Sequence, residues 1–275
     1  MPDPEDQTTP APRDCIGIFD SGLGGLTVLR ELRRRMPHVD LLYVADTAHA
    51  PYGEKSPEHI VERSMHIGTH LRAMGARLIV VACNTATAHA IEAMRQRWPG
   101  IPIVGIEPGI KPAVAASRSG RIGVLATQAT LASARYQSLV DRHRQTAQIF
   151  SQPCPGLVDL IERGDLQAPA LLELIDRICL PLRQADVDTV LMGCTHYPLI
   201  QAQLQEALGA KVCLLNIEDA VAQQAERLWG RKSAQVTAGS LRLQTSGDAT
   251  ALTRFVHQAL GWHGMKAEDL HLLKP

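Results

Sequence analysis

The stretch Thr189-Val-Leu-Met-Gly-Cys194-Thr-His196-Tyr-Pro198 carries the strongest indication of fold class in this chain. Its first four residues are apolar or β-branched, and they predict a short buried strand that ends at Gly193. A thiol, a hydroxyl and an imidazole follow in succession. Pro198 suits the first turn of a new helix, with an apolar stripe at Leu199, Ile200, Leu204 and Leu208. Because ligands of open α/β sheets bind at the carboxyl ends of strands, this stretch predicts a functional site.

A second stretch repeats this arrangement. Residues 78–82 are apolar and lead into Cys83-Asn84-Thr85 at the start of the next predicted helix. Each of these two strands is the third of a series: strands are predicted over 16–19, 41–45, 78–82 and 103–106, and again over 122–125, 147–150, 189–192 and 212–215. The pattern predicts an α/β fold of two similar doubly wound parallel-sheet domains that face each other across a cleft.

Helical patterns fill the intervals between the strands. Apolar spacing predicts helices over 26–35 and 130–141, and Ser56-Pro57-Glu58 is typical of a helix start. The C-terminal part predicts a helix over 219–228, a strand over 241–245 and a helix over 249–260. This last part could return to complete the first unit.

The composition limits the classes of protein to consider. The chain has 275 residues, and its 28 basic and 28 acidic residues give zero net charge. That balance argues against a nucleic-acid partner, and no apolar run is long enough to cross a membrane. Residues 1–14 are Pro-rich and acidic, which predicts a disordered tail and not a signal peptide. We therefore expect a cytoplasmic protein.

Six cysteines are spread along the chain without a C-x-x-C pair, so no metal site is predicted. Four of them are interpreted as small buried hydrophobic residues or free thiols: Cys15, Cys154, Cys179 and Cys213. Cys83 and Cys194 differ because each lies between a buried strand and a helix. A helix N-terminus lowers the pKa of a thiol, so both are predicted to be reactive.

The turn Asp20-Ser-Gly-Leu-Gly-Gly25 connects the first strand and the first helix. Its backbone N–H groups suit an anion. Thr27 stands where a dinucleotide fingerprint has its third glycine, and the Lys-Ser/Thr of a Walker loop is missing, so a carboxylate is the expected guest. The alternative is a tight turn that needs glycine for a positive φ. Asp20 is either a helix cap or part of the chemistry.

Two cysteines in matching settings suggest a specific reaction. One can remove a proton from one face of a carbon while the other delivers a proton to the opposite face, which is racemisation or epimerisation. His196 beside Cys194, and Asp20 across the cleft, could keep one cysteine as thiolate and the other as thiol. Hydrogen bonds to a zwitterionic substrate would come from Asn84, Thr85 and Thr195.

Five blocks of sequence, taken together and in order, resemble the glutamate racemases of the aspartate/glutamate racemase family. The resemblance runs from about Ile16 to Leu215. The blocks are Asp20-Ser-Gly-Leu-Gly-Gly-Leu-Thr-Val28, Tyr43-Val-Ala-Asp-Thr47 with Pro51-Tyr-Gly53, Ala82-Cys-Asn-Thr-Ala86, Glu107-Pro-Gly-Ile-Lys-Pro112 and Gly193-Cys-Thr-His-Tyr-Pro198.

The resemblance implies a cofactor-independent enzyme that interconverts L- and D-glutamate and supplies D-glutamate for peptidoglycan. It implies Cys83 and Cys194 as the proton-transfer residues, with Asp20 paired to Cys83 and His196 paired to Cys194. Contacts to the substrate, glutamate, would come from Asp20, Ser21, Tyr52, Gly53, Asn84, Thr85, Thr127, Thr130, Thr195 and His196.

The resemblance also implies a discontinuous first domain and a homodimer. We predict a first domain of residues 15–107 plus 218–275 and a second domain of residues 108–217, after the tail of residues 1–14. One departure from the family pattern is visible. Asn216-Ile-Glu218 replaces the frequent Asp-Ser, which puts the capping of the following helix in doubt.

Three alternatives remain open from sequence alone. The same scaffold could racemise aspartate or another amino acid, because side-chain length is read by the shape of the pocket. It could also carry a thiol-dependent hydrolase or lyase, which needs only one cysteine. A binding module without catalysis is the third alternative.

Overall fold

Two parallel sheets form the framework of the chain. The structure is a computed structural model that describes residues 14–230 and 237–272. The predicted tail of residues 1–14 lies outside the described residues except for its last position. Helices cover the sheets, so the predicted α/β class with two parallel sheets is confirmed.

Within the described ranges, ten strands build the sheets. They are β1 (Cys15–Asp20), β2 (Leu41–Ala45), β3 (Ala76–Val81), β4 (Ile103–Gly105), β5 (Arg121–Ala126), β6 (Gln148–Pro153), β7 (Thr189–Met192), β8 (Cys213–Leu215), β9 (Leu241–Thr245) and β10 (Ala267–Asp269). The first sheet has the order β10-β9-β2-β1-β3-β4, and the second has the order β6-β5-β7-β8. Strands β3 and β7, which precede the two cysteines, therefore each lie between two other strands.

Eleven α-helices accompany these strands in the described part of the chain. They are α1 (Leu26–Arg35), α2 (Pro57–Ala73), α3 (Asn84–Arg97), α4 (Ile110–Ala116), α5 (Gln128–Ala132), α6 (Ala134–Asp141), α7 (Leu157–Glu162), α8 (Pro169–Gln184), α9 (Gln201–Leu208), α10 (Glu218–Trp229) and α11 (Ala249–Leu260). Among these helices, none has both the length and the apolar character needed to cross a bilayer.

The C-terminal segment joins the first sheet, as the sequence suggested. Strand β9 pairs in parallel with β2, from Leu41 opposite Leu241 to Ala45 opposite Thr245. Strand β10, which was not predicted, adds to the free edge of β9. The six-stranded sheet thus takes its strands from both ends of the chain. The domain limits at residues 107 and 217 stay a prediction.

Buried apolar faces hold the helices against the sheets. In α1 the side chains of Leu26, Leu29 and Leu32 recur at helical spacing and are fully buried. Burying a leucine side chain contributes about 1.5–3 kcal/mol. The face of α1 therefore fixes the end of the glycine-rich turn that precedes it.

Two predicted helices differ from the structure. The segment 130–141 forms α5 and α6, because the backbone of Ser133 is extended between them. The Ser133 hydroxyl accepts a hydrogen bond from the Tyr136 N–H at 3.1 Å and donates one to the Thr130 carbonyl at 2.7 Å. The helix expected at Pro198 begins as a 3-10 turn, Tyr197–Ile200, and becomes α-helical only in α9.

The departure from the family pattern at residues 216–218 affects the capping of α10. Ile217 occupies the N-cap position, and its side chain cannot accept a hydrogen bond from the helix. The Glu218 carboxylate accepts a hydrogen bond from the Ile217 N–H at 3.1 Å instead. The predicted loss of a capping side chain at this position is confirmed.

Candidate active site

The carboxyl ends of three strands bring the predicted residues to one cavity. Strand β1 ends at Asp20 and Ser21, β3 leads to Cys83, and β7 leads to Cys194. Both cysteines lie on the wall of this cavity, which is lined by Ser21, Pro51, Tyr52, Gly53, Cys83, Asn84, Thr85, Thr127, Val158, Cys194, Thr195 and His196. The two sheets thus contribute to one site.

The cavity is closed and small. Its volume is about 10 Å³, which is the size at which a single water molecule fits. An amino acid is several times larger. A bound amino acid would therefore need more room than this conformation of the cavity gives.

Cys83 is the N-cap residue of α3. Its Sγ accepts a hydrogen bond from the Ala86 N–H at 3.4 Å and lies 3.6 Å from the Ser21 Oγ. Burial and the nearby charge of Asp20 raise the pKa of the Cys83 thiol, despite the helix N-terminus. The predicted lowering of this pKa is therefore wrong: loss of solvation outweighs the helix.

Cys194 has different neighbours. Its Sγ lies 3.7 Å from Nδ1 of His196, and Nε2 of His196 lies 2.8 Å from Oε1 of Glu162. Burial alone would lower the pKa of His196, but the hydrogen bonds and charges of Cys194 and Glu162 outweigh burial and raise it well above its ordinary value. The Gly24 N–H also lies 3.2 Å from Nε2. Because the contact to Glu162 is shorter and the pKa is raised, we assign a proton to Nε2.

Glu162 is the residue that sequence reasoning missed. It is the last residue of α7, and no motif surrounds it in the sequence. Burial would raise the pKa of its carboxyl, but His196 and the Leu23 N–H, which donates to Oε1 at 3.0 Å, hold that pKa below its ordinary value. Glu162 is therefore a carboxylate that holds the imidazole from the side opposite Cys194.

The glycine-rich turn receives carboxylates, but they belong to the protein. Its N–H groups at Gly22 and Gly25 donate to Asp20, and that of Leu23 donates to Glu162. These three N–H groups are therefore occupied by the protein's own carboxylates, and the binding of a ligand's carboxylate by this turn stays a prediction.

The glycines of this turn allow close approach. None of Gly22, Gly24 and Gly25 has a positive φ, so the alternative that they serve a left-handed turn is wrong. A Cβ at Gly22 would overlap the Glu162 carboxylate, and a Cβ at Gly24 would collide with the His196 ring. These two positions must be glycine for the turn to lie against the Cys194 half of the site.

Asp20 lies behind the cavity wall. Its Oδ2 accepts hydrogen bonds from the Gly25 N–H at 2.8 Å and the Gly22 N–H at 3.3 Å. Its Oδ1 is buried and has no hydrogen-bond partner among the described residues. Burial raises the pKa of this carboxyl. Asp20 acts on the electrostatics of Cys83 and is not among the residues that line this cavity, and its contact to a substrate stays a prediction.

The predicted substrate-binding residues separate into two groups. Those on the cavity wall are Ser21, Tyr52, Gly53, Asn84, Thr85, Thr127, Thr195 and His196. Thr130 is not among them: its hydroxyl lies 2.9 Å from the Thr127 hydroxyl and 3.3 Å from the Thr85 hydroxyl, one layer behind the wall. Tyr52 offers only its ring and backbone, because its hydroxyl donates to Asp46 at 2.6 Å.

Candidate metal ligands do not cluster in the structure. Over residues 14–230 and 237–272, no group of three or more His, Cys, Asp or Glu side chains is arranged to hold a metal ion. The acids and bases of the cavity are instead arranged in pairs with thiols.

Two parallel sheets that supply one thiol each to a shared cavity form the arrangement expected of a racemase with two acid–base groups. A family model described as Asp/Glu/Hydantoin racemase matches residues 26–225. The chain belongs to this family.

The relatives with high identity share one name. A glutamate racemase of Pseudomonas aeruginosa strain PAO1 is 51% identical over 78% of this chain and 81% of its own length. A glutamate racemase of Ectopseudomonas mendocina is 48% identical over 90% of this chain and 94% of its own length. The chain therefore spans most of the length of these relatives.

Solved structures agree with the fold. Glutamate racemase isoform RacE1 of Bacillus anthracis has a TM-score of 0.86 and 28% identity, covering 94% of this chain and 98% of its own. Escherichia coli glutamate racemase, solved with L-glutamate and the activator UDP-MurNAc-Ala, has a TM-score of 0.81 and 30% identity. It covers 96% of this chain and 100% of its own.

Proposed function

We propose that this protein is an enzyme that interconverts L- and D-glutamate without a cofactor, by proton transfer between Cys83 and Cys194. The observation that carries the proposal is the single cavity with both thiols on its wall. The names of the relatives support glutamate as the substrate, as does the L-glutamate bound in the E. coli structure. A product of this reaction, D-glutamate, would supply peptidoglycan precursors.

The reaction needs two proton transfers at one carbon. One cysteine, as thiolate, takes the α-proton from one face of glutamate and becomes a thiol. The other cysteine, as thiol, gives its proton to the opposite face and becomes a thiolate. Charge and protons balance, and the enzyme ends with the two roles exchanged. No further reactant is required.

The surroundings of the cysteines favour unequal resting states. Burial and the charge of Asp20 favour the neutral thiol form of Cys83, whose pKa is raised. A protonated His196, held by Glu162, stabilises negative charge on the sulfur of Cys194. This pairing supports Cys194 as the resting base and Cys83 as the resting acid.

Polar groups on the wall are suited to a zwitterion. The side chains of Ser21, Asn84, Thr85 and Thr195 line the cavity and can donate or accept hydrogen bonds. Donors near the α-carboxylate would stabilise the charge that develops there when the α-proton leaves. Closure of the walls around a bound substrate would exclude water during this step.

α-Proton exchange tests the proposal. Purified protein is incubated in D₂O with L-glutamate and no added cofactor, while optical rotation and the α-proton signal are followed. We expect rotation to fall to zero and deuterium to appear at the α-carbon. Binding of glutamate without exchange would overturn the proposal and favour a binding module. A parallel incubation with L-aspartate tests the aspartate alternative, which predicts faster loss of rotation with that substrate.

A thiol-dependent hydrolase is the second candidate, and one observation favours it. Cys194, His196 and Glu162 are arranged as a nucleophile, a base and a group that orients the base. This candidate uses Cys194 alone. It predicts that a Cys83→Ser variant keeps most of its activity, whereas two-base racemisation predicts near-complete loss.

Three wider predictions accompany the proposed function. The strands of the six-stranded sheet come from residues 15–105 and 241–269, which supports a first domain of residues 15–107 plus 218–275 and a second of residues 108–217. A homodimer is expected from the family, and light scattering on the pure protein would measure its mass. A cytoplasmic location is expected because peptidoglycan precursors are built there.

A further inference from the structure

A buried ion pair beside the site has no part in the proton transfers. The carboxylate of Asp46 is fully buried at the end of β2 and is held by the guanidinium of Arg63 from α2. Arg63 Nη2 lies 2.8 Å from Oδ1, and its Nε lies 3.0 Å from Oδ2. Two parallel bonds of this kind fix both the distance and the orientation of the pair. Neither residue lies on the cavity wall.

The pair continues to the cavity through Tyr52. The Tyr52 hydroxyl donates to Oδ2 of Asp46 at 2.6 Å, and the tyrosine is 1% exposed. Burial would raise the pKa of Asp46, but the hydrogen bonds from Arg63 and Tyr52 outweigh it and lower that pKa. The carboxylate is therefore charged at neutral pH and binds both partners firmly. Tyr52 and its neighbours Pro51 and Gly53 all lie on the cavity wall.

The same loop also meets the second sheet. A Cβ at Gly53 would lie 2.8 Å from the Cβ of Thr127, which follows β5. The backbone of the loop thus approaches the opposite side of the cleft without an intervening side chain. The backbone of Asp46 contacts the first strand: the Asp46 N–H donates to the Asp20 carbonyl at 3.0 Å. This bond connects the ion pair of Asp46 and Arg63 to β1.

We propose that Arg63 and Asp46 are positioning residues that hold the loop of residues 51–53 as a wall of the cavity and thereby set the affinity for glutamate. This inference rests on the proposed function. The pair acts through Tyr52 and does not touch the reacting atoms. Its loss should weaken binding of the substrate while leaving the rate of the bound complex close to that of the unaltered protein.

The choice of residues fits this role. A carboxylate with this burial needs a charged, hydrogen-bonded partner, and removing one member of such a pair leaves the other unpaired. Arginine offers a planar fork that binds both carboxylate oxygens, whereas lysine offers a point charge. Substitution of Arg63 by lysine should therefore keep the charge and lose the orientation.

Steady-state kinetics of variants test the inference. In Arg63→Met we expect KM for L-glutamate to rise roughly tenfold or more, with kcat within about threefold of the unaltered protein. Arg63→Lys should give an intermediate KM. Tyr52→Phe removes only the hydroxyl that joins the loop to Asp46, so it should raise KM in the same direction.

Two further variants guard against trivial outcomes. Arg77→Met is the control, because Arg77 also forms an ion pair, with 2.6 Å between its Nη1 and Oδ2 of Asp14, but both members of this pair are exposed. KM and kcat of this variant should not change. If Arg63→Met does not fold, the double variant Asp46→Asn with Arg63→Met removes both charges and answers the same question.

The outcomes separate this inference from the proposed function. A folded variant at Arg63 with unchanged KM, or with a lowered kcat and unchanged KM, overturns the positioning role. Failure of the unaltered protein to exchange the α-proton of glutamate overturns the proposed function before any variant is compared. A raised KM with a preserved kcat, graded from lysine to methionine at position 63, supports the inference.

Discussion

Cys83 and Cys194 occupy matching places in the two sheets, each separated by one residue from the end of the third strand of its series, yet their neighbours differ. Cys83 caps an α-helix and has Asp20 behind it. Cys194 is followed by a 3-10 turn and contacts an imidazole that Glu162 holds. The repeated topology brings two thiols to one cavity. The differing neighbours then give each thiol its own electrostatic surroundings.

The two carboxylates show the same contrast. The pKa of Asp20 is raised by burial, since two backbone N–H groups are its only hydrogen-bond donors among the described residues. The pKa of Glu162 is lowered, because hydrogen bonds to His196 and Leu23 outweigh its burial. Surroundings that shift the pKa values of ionisable groups in opposite directions are typical of acid–base sites. The cavity is thus symmetric in its thiols and asymmetric in what controls them.

Substitution of each cysteine tests the symmetric feature of the cavity, its two thiols, and has the largest expected effect. In Cys83→Ser and Cys194→Ser we expect kcat for racemisation to fall by about 10³-fold in either variant, because a serine hydroxyl is a far weaker acid than a thiol and does not ionise to a base near neutral pH. Initial rates of change in optical rotation, measured from L-glutamate and from D-glutamate, check this.

A third cysteine provides the control for these variants. Cys179→Ser alters a buried thiol of α8 that does not line the cavity, and its kcat should stay within about twofold. A large loss for Cys194→Ser together with a near-silent Cys83→Ser would contradict the two-base proposal and favour the hydrolase.

Removing the Glu162 charge tests the asymmetric feature of the cavity, the different groups that surround the two thiols. In Glu162→Gln we expect kcat/KM to fall about 30-fold, less than for the groups that transfer the proton directly. The pKa of His196 should also fall, because one of the partners that raise it is lost. The limb of the pH profile that reports loss of the His196 proton should then move to lower pH. Rates measured at fixed glutamate from pH 6 to pH 10 check the direction of this shift.

L- and D-glutamate have equal free energies, so the rates of the Glu162 variant can be compared in the two directions. The equilibrium constant is one, so kcat/KM must be equal in both directions for every variant, while the individual kcat values can separate. Because Glu162 contacts His196, the neighbour of Cys194, and neither cysteine directly, Glu162→Gln should change the two kcat values unequally. Glu173→Gln, which removes an exposed acid of α8, should change neither. Equal loss in both directions would mean that Glu162 serves the whole cavity.

Much of the fold was predictable because the local sequence patterns indicate the same strands and helices that the folded structure contains. Strands β2, β7 and β9 and helices α1 and α11 match their predicted limits to the residue. Apolar runs between turn residues are informative when buried strands are short and parallel. The break at Ser133 was missed because a serine can cap a helix or lie within one, and only its contacts decide.

The site was predictable where motif residues follow strands. Asp20 ends β1, each cysteine follows its strand after one intervening residue, and His196 lies two positions beyond Cys194. Sequence position alone therefore indicated their location. Glu162 was not predictable, because it reaches the site from a helix end at a distance of 34 residues from His196 along the chain. The raised pKa of Cys83 was equally hidden, since burial is a property of the packed structure and not of the motif.

Asp20 allows a test in which stability and activity move in opposite directions. In Asp20→Asn we expect the free energy of unfolding at neutral pH to rise by about 1 kcal/mol, because a buried charge is removed while one oxygen still accepts from Gly22 and Gly25. We expect kcat/KM to fall about tenfold, because Cys83 loses the charge behind it. Thermal unfolding and initial rates measure the two effects.

The sign of the pH dependence follows from the raised pKa of Asp20. The folded protein loses stability as pH rises above the ordinary value of 3.8, and the loss is complete above the folded-state pKa. The advantage of Asp20→Asn should therefore increase as pH rises above 3.8 and vanish as pH falls toward that value. An advantage that persists at that pH would show that packing, and not charge, is responsible.

The smallest expected effect concerns the threonines where the two halves meet. Thr85 from α3 contacts Thr127 and Thr130 from the second half, at 2.9 and 3.3 Å between hydroxyl oxygens. Thr130→Val should lower kcat/KM less than about threefold and cost on the order of 1 kcal/mol of stability, because it removes the buried hydrogen bonds that the Thr130 hydroxyl makes to Thr127 and Thr85 behind the wall. Thr85→Val should lower kcat/KM more, since Thr85 lines the cavity. If the two variants lose activity equally, Thr130 touches the substrate as the sequence suggested, and the cavity must rearrange on binding to expose it.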